Sequence, residues 1–336
     1  MVNGAARGGL GLRSCVLATL AAVMPSGAFA LELGLPLACT PGTDCWLVRL
    51  VDHDPGPGFA DHRCGSLGSD GHEGTDFAIA DARRMAQGVP VLASAAGTVA
   101  GVRDGMPDQP PEGRIAHAFG DRNCGNGVLL RHDGGWETQY CHLRQGSVLV
   151  SQGAEVAAGQ VLGQVGMSGE ANFPHVHLSV RHDGVGIDPF TGGAAGDPCG
   201  PAGAPLWSAA LQAELAYDEV PIAVVGLTDH VPDRDAIVAG DASADALSAG
   251  SPALVGYLLA YGLRAGDRLE IELRGPDGRI VSTAGFDLAE DAPRATRAAG
   301  RRRPAEGWVP GSYQVEARVR RGERTFARGA AFVLAQ

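Results

Sequence analysis

Phe173-Pro174-His175-Val176-His177-Leu178-Ser179-Val180-Arg181 is the stretch on which the fold turns. From His175 onward, polar and apolar side chains alternate with the period of 2 that marks a half-buried strand. Residues i and i+2 of a strand share a face, so His175 and His177 project together while Val176 and Leu178 face a core. Two imidazoles on one strand face pack poorly unless a metal or an ordered water occupies them. Short runs of similar character, each cut off by Gly, lie at 75–80, 89–102, 127–131, 137–143, 148–150 and 161–165. Together they predict a mostly antiparallel β domain. Residues 103–122, with three Pro and mixed charge, interrupt it as a loop insertion.

Outward from this domain the composition changes. Residues 31–70 are irregular and rich in Gly, Pro and Asp, with one strand-like run at 46–51. The domain itself spans 71–205 and ends in a Gly/Ala/Pro-rich stretch. A linker helix follows at 206–219, where Leu206, Trp207, Leu211 and Leu215 fall on one face. From 220 to 336 there is no Cys and a single His, His230. Clean alternation at 269–274 and 313–320, a Gly275-Pro276-Asp277-Gly278 turn, and strand runs at 253–261 and 325–334 predict a small immunoglobulin-like β-sandwich. Arg301-Arg302-Arg303 reads as a solvated loop between strands, and Trp308 with Tyr313 as sandwich core.

The first thirty residues are of another kind. Arg7 and Arg13 precede a short apolar core, and Ala28-Phe29-Ala30 is a small-residue cleavage site, the pattern of a secretory signal peptide at 1–30. Its apolar core is too short to span a bilayer, and no other stretch approaches that length, so no membrane span is expected in the mature chain. Removing this segment, with its two Arg and no acid, takes the formal charge from −11 to −13. The chain has no Lys and no long basic block, which argues against nucleic acid as a partner. Of the seven Cys, six remain after cleavage, and an even number in an exported chain reads as disulfides. Cys39–Cys45 as a short loop, Cys124–Cys141 across a strand pair, and Cys64–Cys199 by elimination is the favoured pairing. A Cys-ligated zinc site is the weaker reading, because no C-x-x-C pair occurs.

Three histidine clusters carry the chemistry: His72-Glu73-Gly74-Thr75-Asp76, Tyr140-Cys141-His142-Leu143 and the His175/His177 strand. An imidazole and a carboxylate from the first, with one strand histidine, meet the count of three protein ligands that a catalytic zinc requires. Gly74 gives the backbone freedom to bring them together. The pattern resembles the lysostaphin/LytM-type zinc metalloendopeptidases, which carry an H-x-x-x-D element, a Tyr-x-His-Leu strand and an H-x-H strand in this order. The surrounding text agrees over about 65–190, in Pro90-Val91-Leu92-Ala93-Ser94-Ala95-Ala96-Gly97-Thr98-Val99 and in the Gly-rich 159–169.

The resemblance implies an all-β fold with an antiparallel LytM-type peptidase domain. It implies one Zn2+ per chain held by His72, Asp76 and His177, with His142 and His175 as catalytic histidines. It also implies peptidoglycan stem or bridge peptides as substrate and a secreted location, periplasmic or extracellular. A non-catalytic regulator of another wall hydrolase is the alternative; such members lose metal residues, and none is lost here. The C-terminal domain is a place for a wall-protein partner. Glu73 is expected as a solvated carboxylate, Asn172 as a groove or turn residue, and Asp183 and Asp188 as turn residues. His53, His62, His117, His132, His182 and His230 lack partnered spacing and are expected on the surface or in loops. Residues 31–70 are also candidates to lie across the groove.

Overall fold

A computed structural model describes residues 1–4, 31–109, 119–243 and 247–335. The expected signal-peptide core, His117 and the middle of the 103–122 loop lie outside the described residues. Ten strands build the N-terminal part: β1 (Cys45–Arg49), β2 (Thr75–Ile79), β3 (Pro90–Leu92), β4 (Gly97–Arg103), β5 (Asn126–Arg131), β6 (Trp136–Leu143), β7 (Glu155–Val156), β8 (Val161–Gln164), β9 (His175–His182) and β10 (Val185–Gly186). The main sheet runs β1-β2-β9-β6-β5-β4-β7, with β10 paired to β9 and every pairing antiparallel. A separate ribbon, β3-β8, covers part of it. The expected run at 89–102 is thus two strands, broken at residues 93–96, and residues 148–150 are no strand.

Val176, Leu178, Phe77, Val128, Leu130 and Tyr140 point into one core, as the alternation required. Leu206, Trp207, Leu211 and Leu215 close that core from the far end of the domain. After the short helix α1 (Ala82–Ala86), the second helix, α2 (Ala209–Glu214), carries Leu211, and Ser208 caps it by accepting from the Leu211 N–H at 3.3 Å. The three disulfides are Cys39–Cys45, Cys64–Cys199 and Cys124–Cys141.

Residues 31–70 lie within this fold rather than beside it. Leu33, Leu37 and Cys45 are buried in the core, and β1 pairs with β2, Arg49 standing opposite Asp76. The segment supports strand β2 from its outer edge.

The C-terminal part has two sheets enclosing a second core. One contains β11 (Ile222–Thr228), β13 (Ala253–Leu263) and β16 (Ala292–Arg302). The other contains β12 (Leu247–Ser248), β14 (Arg268–Arg274), β15 (Ile280–Asp287), β17 (Gly311–Arg321) and β18 (Arg324–Ala335). Trp308 and Tyr313 meet edge to face inside it, 6.5 Å apart. Arg301 and Arg302 end strand β16, correcting the expectation of a loop. Helix α3 (Arg234–Ala239), capped by Asp233 and ended by left-handed Gly240 at φ 84°, was not anticipated.

A third cluster joins the two parts. Trp46, Val48, Leu50, Ala78 and Phe173 from the first pack against Ala223, Ile237, Val238, Tyr257, Leu259 and Tyr261 from the second. Among the described residues no helix is long and apolar enough to cross a membrane.

Candidate metal centre

Strands β2 and β9 are neighbours, and their register sets Asp76 directly opposite His177. His72, four residues before Asp76, closes the triangle from the loop. His72 Nε2 stands 3.1 Å from Asp76 Oδ1, His177 Nδ1 stands 2.8 Å from the same oxygen, and the two nitrogens are 3.2 Å apart. Three N or O ligands about 2.0–2.1 Å from one tetrahedral ion are roughly 3.3 Å from each other, so this spacing is close to that of a ligand set.

The outward nitrogens are already committed. His72 Nδ1 donates to the Leu50 carbonyl at 2.9 Å, and His177 Nε2 meets Ser179 Oγ at 2.9 Å. Held this way, each ring turns its other nitrogen toward Asp76 Oδ1. Three electron-rich atoms converging in a nearly buried spot call for a cation between them, and the donor set of two imidazoles and one carboxylate suits zinc. Burial alone pushes the Asp76 carboxyl up, yet His72, His175 and the hydrogen bonds from His177 and His72 hold it well below the usual carboxylate range.

Gly74 has a different role from the one its sequence suggested. Its φ is ordinary; what matters is space. A Cβ there would lie 2.5 Å from His177 Nε2 and 2.7 Å from the Leu178 carbonyl oxygen. Only glycine lets the loop pass this close to the ligand.

His142 and His175 stand beside the cluster with rings 4.6 Å apart, and His175 Nε2 is 3.7 Å from Asp76 Oδ2. Regular alternation along β6 would send His142 to the wrong face. Tyr140, opposite Leu178, is in the core with its hydroxyl accepting from the Ser94 N–H at 2.6 Å, while Cys141 stands opposite His177. His142 escapes because its backbone is left-handed, φ 64°, with its N–H tied to the Cys124 carbonyl at 2.8 Å. That conformation costs on the order of 1–3 kcal/mol and persists where surroundings enforce it. The Cys124–Cys141 disulfide and the Ser168 carbonyl, which accepts from His142 Nδ1 at 2.9 Å, are those surroundings.

His175 Nδ1 donates to the Phe173 carbonyl at 2.8 Å. Burial, then the neighbouring His175 and His177, lowers His142 well below the ordinary imidazole value; burial takes His175 down to about 4. Both rings are therefore neutral near pH 7, with Nδ1 protonated and Nε2 free to accept a proton.

Glu73 is exposed, as expected. His53 is not: it is buried, and its Nε2 sits 2.9 Å from Asp188 Oδ2, a carboxylate with 0% exposure that was expected in a turn. His62 is largely buried too, stacked on Phe190 at 4.9 Å. These residues lie more than a hundred positions apart, which hid the pairing. Ser179 was also missed, although it stands two residues after His177 on the same strand face.

Residues 70–189 match Peptidase family M23, and this segment is an M23 domain. Over 99 residues the chain is 35% identical to the cell division protein DipM of Caulobacter vibrioides, covering 30% of this chain and 14% of that one. Over 109 residues it is 33% identical to the peptidoglycan DD-endopeptidase ShyA of Vibrio cholerae, covering 32% of this chain and 20% of that one. The matches thus span a fifth or less of these relatives' own lengths. Among solved structures, the catalytic domain of lysostaphin from Staphylococcus simulans aligns with a TM-score of 0.28 and 23% identity, covering 42% of this chain and 85% of that one.

Proposed function

We propose that this protein is an exported zinc metalloendopeptidase that hydrolyses peptide bonds of bacterial peptidoglycan. His72, Asp76 and His177 hold one zinc per chain, and His142 and His175 act on the reacting atoms. The observation that carries the reading is the convergence of two imidazole nitrogens and a carboxylate oxygen, the rings' other nitrogens being engaged by the Leu50 carbonyl and Ser179 Oγ. Two further neutral histidines beside them supply what a purely structural metal site has no use for.

When bound, zinc supplies Lewis-acid chemistry and makes a water acidic enough to ionise near neutral pH. The chain's own residues do the rest. Nε2 of His142 or His175 accepts the proton of the attacking water; the imidazolium so formed hydrogen-bonds to the oxyanion and transfers that one proton to the leaving amine as the C–N bond breaks. The Ser168 and Phe173 carbonyls hold the two rings in the required tautomer throughout.

The test is digestion of purified peptidoglycan by the zinc-loaded chain beside His177→Ala and His142→Ala, with fragments read by mass spectrometry. Peptide-bond cleavage that needs both residues is expected. A wild-type chain proven to hold one zinc that releases no fragment would refute this reading and favour a regulator of another wall hydrolase.

A further inference from the structure

Several arginines of the C-terminal part have a carboxylate partner: Arg268 with Asp287, Arg318 with Glu316, Arg320 with Glu270, Arg321 with Asp267, Arg324 with Glu219. Two arginines next to the metal cluster have none among the described residues. Arg49 ends β1 opposite Asp76, and its guanidinium lies 5.6 Å from the Phe173 ring centroid. Arg294 comes across from β16, lies 5.0 Å from the same ring, and donates to the Asn172 carbonyl at 3.3 Å. Phe173 in turn stacks on His175, ring centres 4.3 Å apart. One aromatic ring therefore separates the guanidinium pair from a histidine of the metal centre.

The arrangement is costly as it stands. Arg49 Nε is buried without a hydrogen-bond partner, which is unusual for a charged donor. Burial lowers Arg294; the neighbouring Tyr261 hydroxyl offsets part of that, and the like charges of Arg234 and Arg49 lower it further. In a chain with 38 acids and 27 basic residues, carboxylates were available to neutralise this wall. Both side chains are partly exposed, so each can be reached from solvent. Guanidinium donors in a half-desolvated setting, both beside one aromatic ring, are suited to a planar anion.

We propose that Arg49 and Arg294 form a seat for a free carboxylate of the substrate, within about two or three residues of the scissile bond at ~3.3 Å per extended residue. The inference rests on the endopeptidase reading above and narrows it: the favoured substrate is a wall peptide that still carries an unamidated carboxylate near the cut. It also gives the C-terminal part a share in specificity, since one of the two guanidinium groups comes from it.

The experiment uses the full zinc-loaded chain and a synthetic crosslinked wall peptide in two forms, terminal carboxylate free or amidated. Binding is measured by calorimetry in a His142→Ala background that slows turnover, and cleavage is measured in the parent chain. The carboxylate form is expected to bind at least tenfold more tightly. Arg49→Gln and Arg294→Gln should each bring the ratio toward one while leaving affinity for the amide within about twofold; Arg294→Lys should keep part of it. Because the two residues lie in different parts of the fold, a folding defect in one variant leaves the other decisive. A ratio near one in the parent, equal losses for both peptides, or no binding of either would overturn the proposal. Cleavage of both peptides at equal efficiency removes the seat and leaves the endopeptidase; an intact binding ratio without cleavage does the reverse.

Discussion

Gly74→Ala adds one methyl group at the tightest point of the centre, and the structure sets its cost. The new Cβ meets His177 Nε2 at 2.5 Å, Cε1 at 2.6 Å and the Leu178 carbonyl oxygen at 2.7 Å. Ordinary contact begins near 3.4 Å, so the imidazole must retreat by roughly 0.9 Å. The carbonyl belongs to β9 and is fixed by the ladder, which leaves the ring to move. Overpacking of this kind costs about 1–3 kcal/mol. Metal–ligand distances tolerate only about 0.2 Å, so most of the strain falls on the zinc-bound form. At ~1.4 kcal/mol per decade, ~3 kcal/mol is about a hundredfold in affinity. Competition with a chromophoric chelator should show zinc binding weakened by roughly that factor, with the far-ultraviolet circular dichroism unchanged. Zinc affinity within twofold of the parent would refute the reasoning, since it would mean the ring is not confined by the Gly74 loop.

Ser179→Ala removes the partner of His177 Nε2 and should weaken zinc binding by about 10–100-fold, the range for outer hydrogen bonds to metal-ligating histidines; an unchanged affinity in the same titration contradicts that role. His53 is raised above 6.5 chiefly by its hydrogen bond to Asp188. Its stabilisation is therefore complete below pH ~6.5 and is lost as pH rises through the folded-state value. The melting-temperature gap between the parent and His53→Gln should narrow from pH 6 to pH 9, and a gap that widens rejects the pairing. Cys64–Cys199 closes a loop with a sequence separation of 135, worth about 5 kcal/mol by chain entropy. Replacing both with Ala should lower the melting temperature by ~10 °C or more, and a shift under ~3 °C would show that the bridge constrains little. A chain ending at residue 219 loses the cover of Trp46, Val48, Leu50 and Phe173. It should aggregate or bind a hydrophobic dye, and a monodisperse, dye-free product would show that these contacts are dispensable.

The antiparallel character of the N-terminal domain was legible because β9 alternates cleanly, and the same alternation put His175 and His177 on one face. Strand β16 was not legible. Ala292-Pro293-Arg294-Ala295-Thr296-Arg297-Ala298-Ala299 carries no large apolar residue at period 2, and it forms a strand because β13 offers a ladder. Tertiary pairing overrides propensity in such segments. Helix α3 left signals, Asp233 before it and Gly240 after it, but six residues are too few for a periodicity.

At the centre, the side chains that converge were readable and their support was not. Three clusters in order pointed to the converging side chains. The Leu50, Ser168 and Phe173 carbonyls that fix the rings are backbone atoms, and no residue type announces them. The left-handed turn at His142 is equally silent, since positive φ is uncommon outside glycine and the strand-like run around it shows no break. Gly74 was noticed for the wrong physical reason, because flexibility and lack of a Cβ look identical in a sequence.

The cluster in which Tyr257, Leu259 and Tyr261 meet Trp46, Leu50 and Phe173 bears on how this architecture can be varied. Modules joined by a wet linker can be exchanged by recombination, each carrying its own surface to a new neighbour. Here the seam is an apolar cluster, so a replacement C-terminal module would have to present matching apolar shapes to Trp46, Val48, Leu50 and Phe173. A module that fails to do so leaves these side chains uncovered, so the two halves exchange only as one unit.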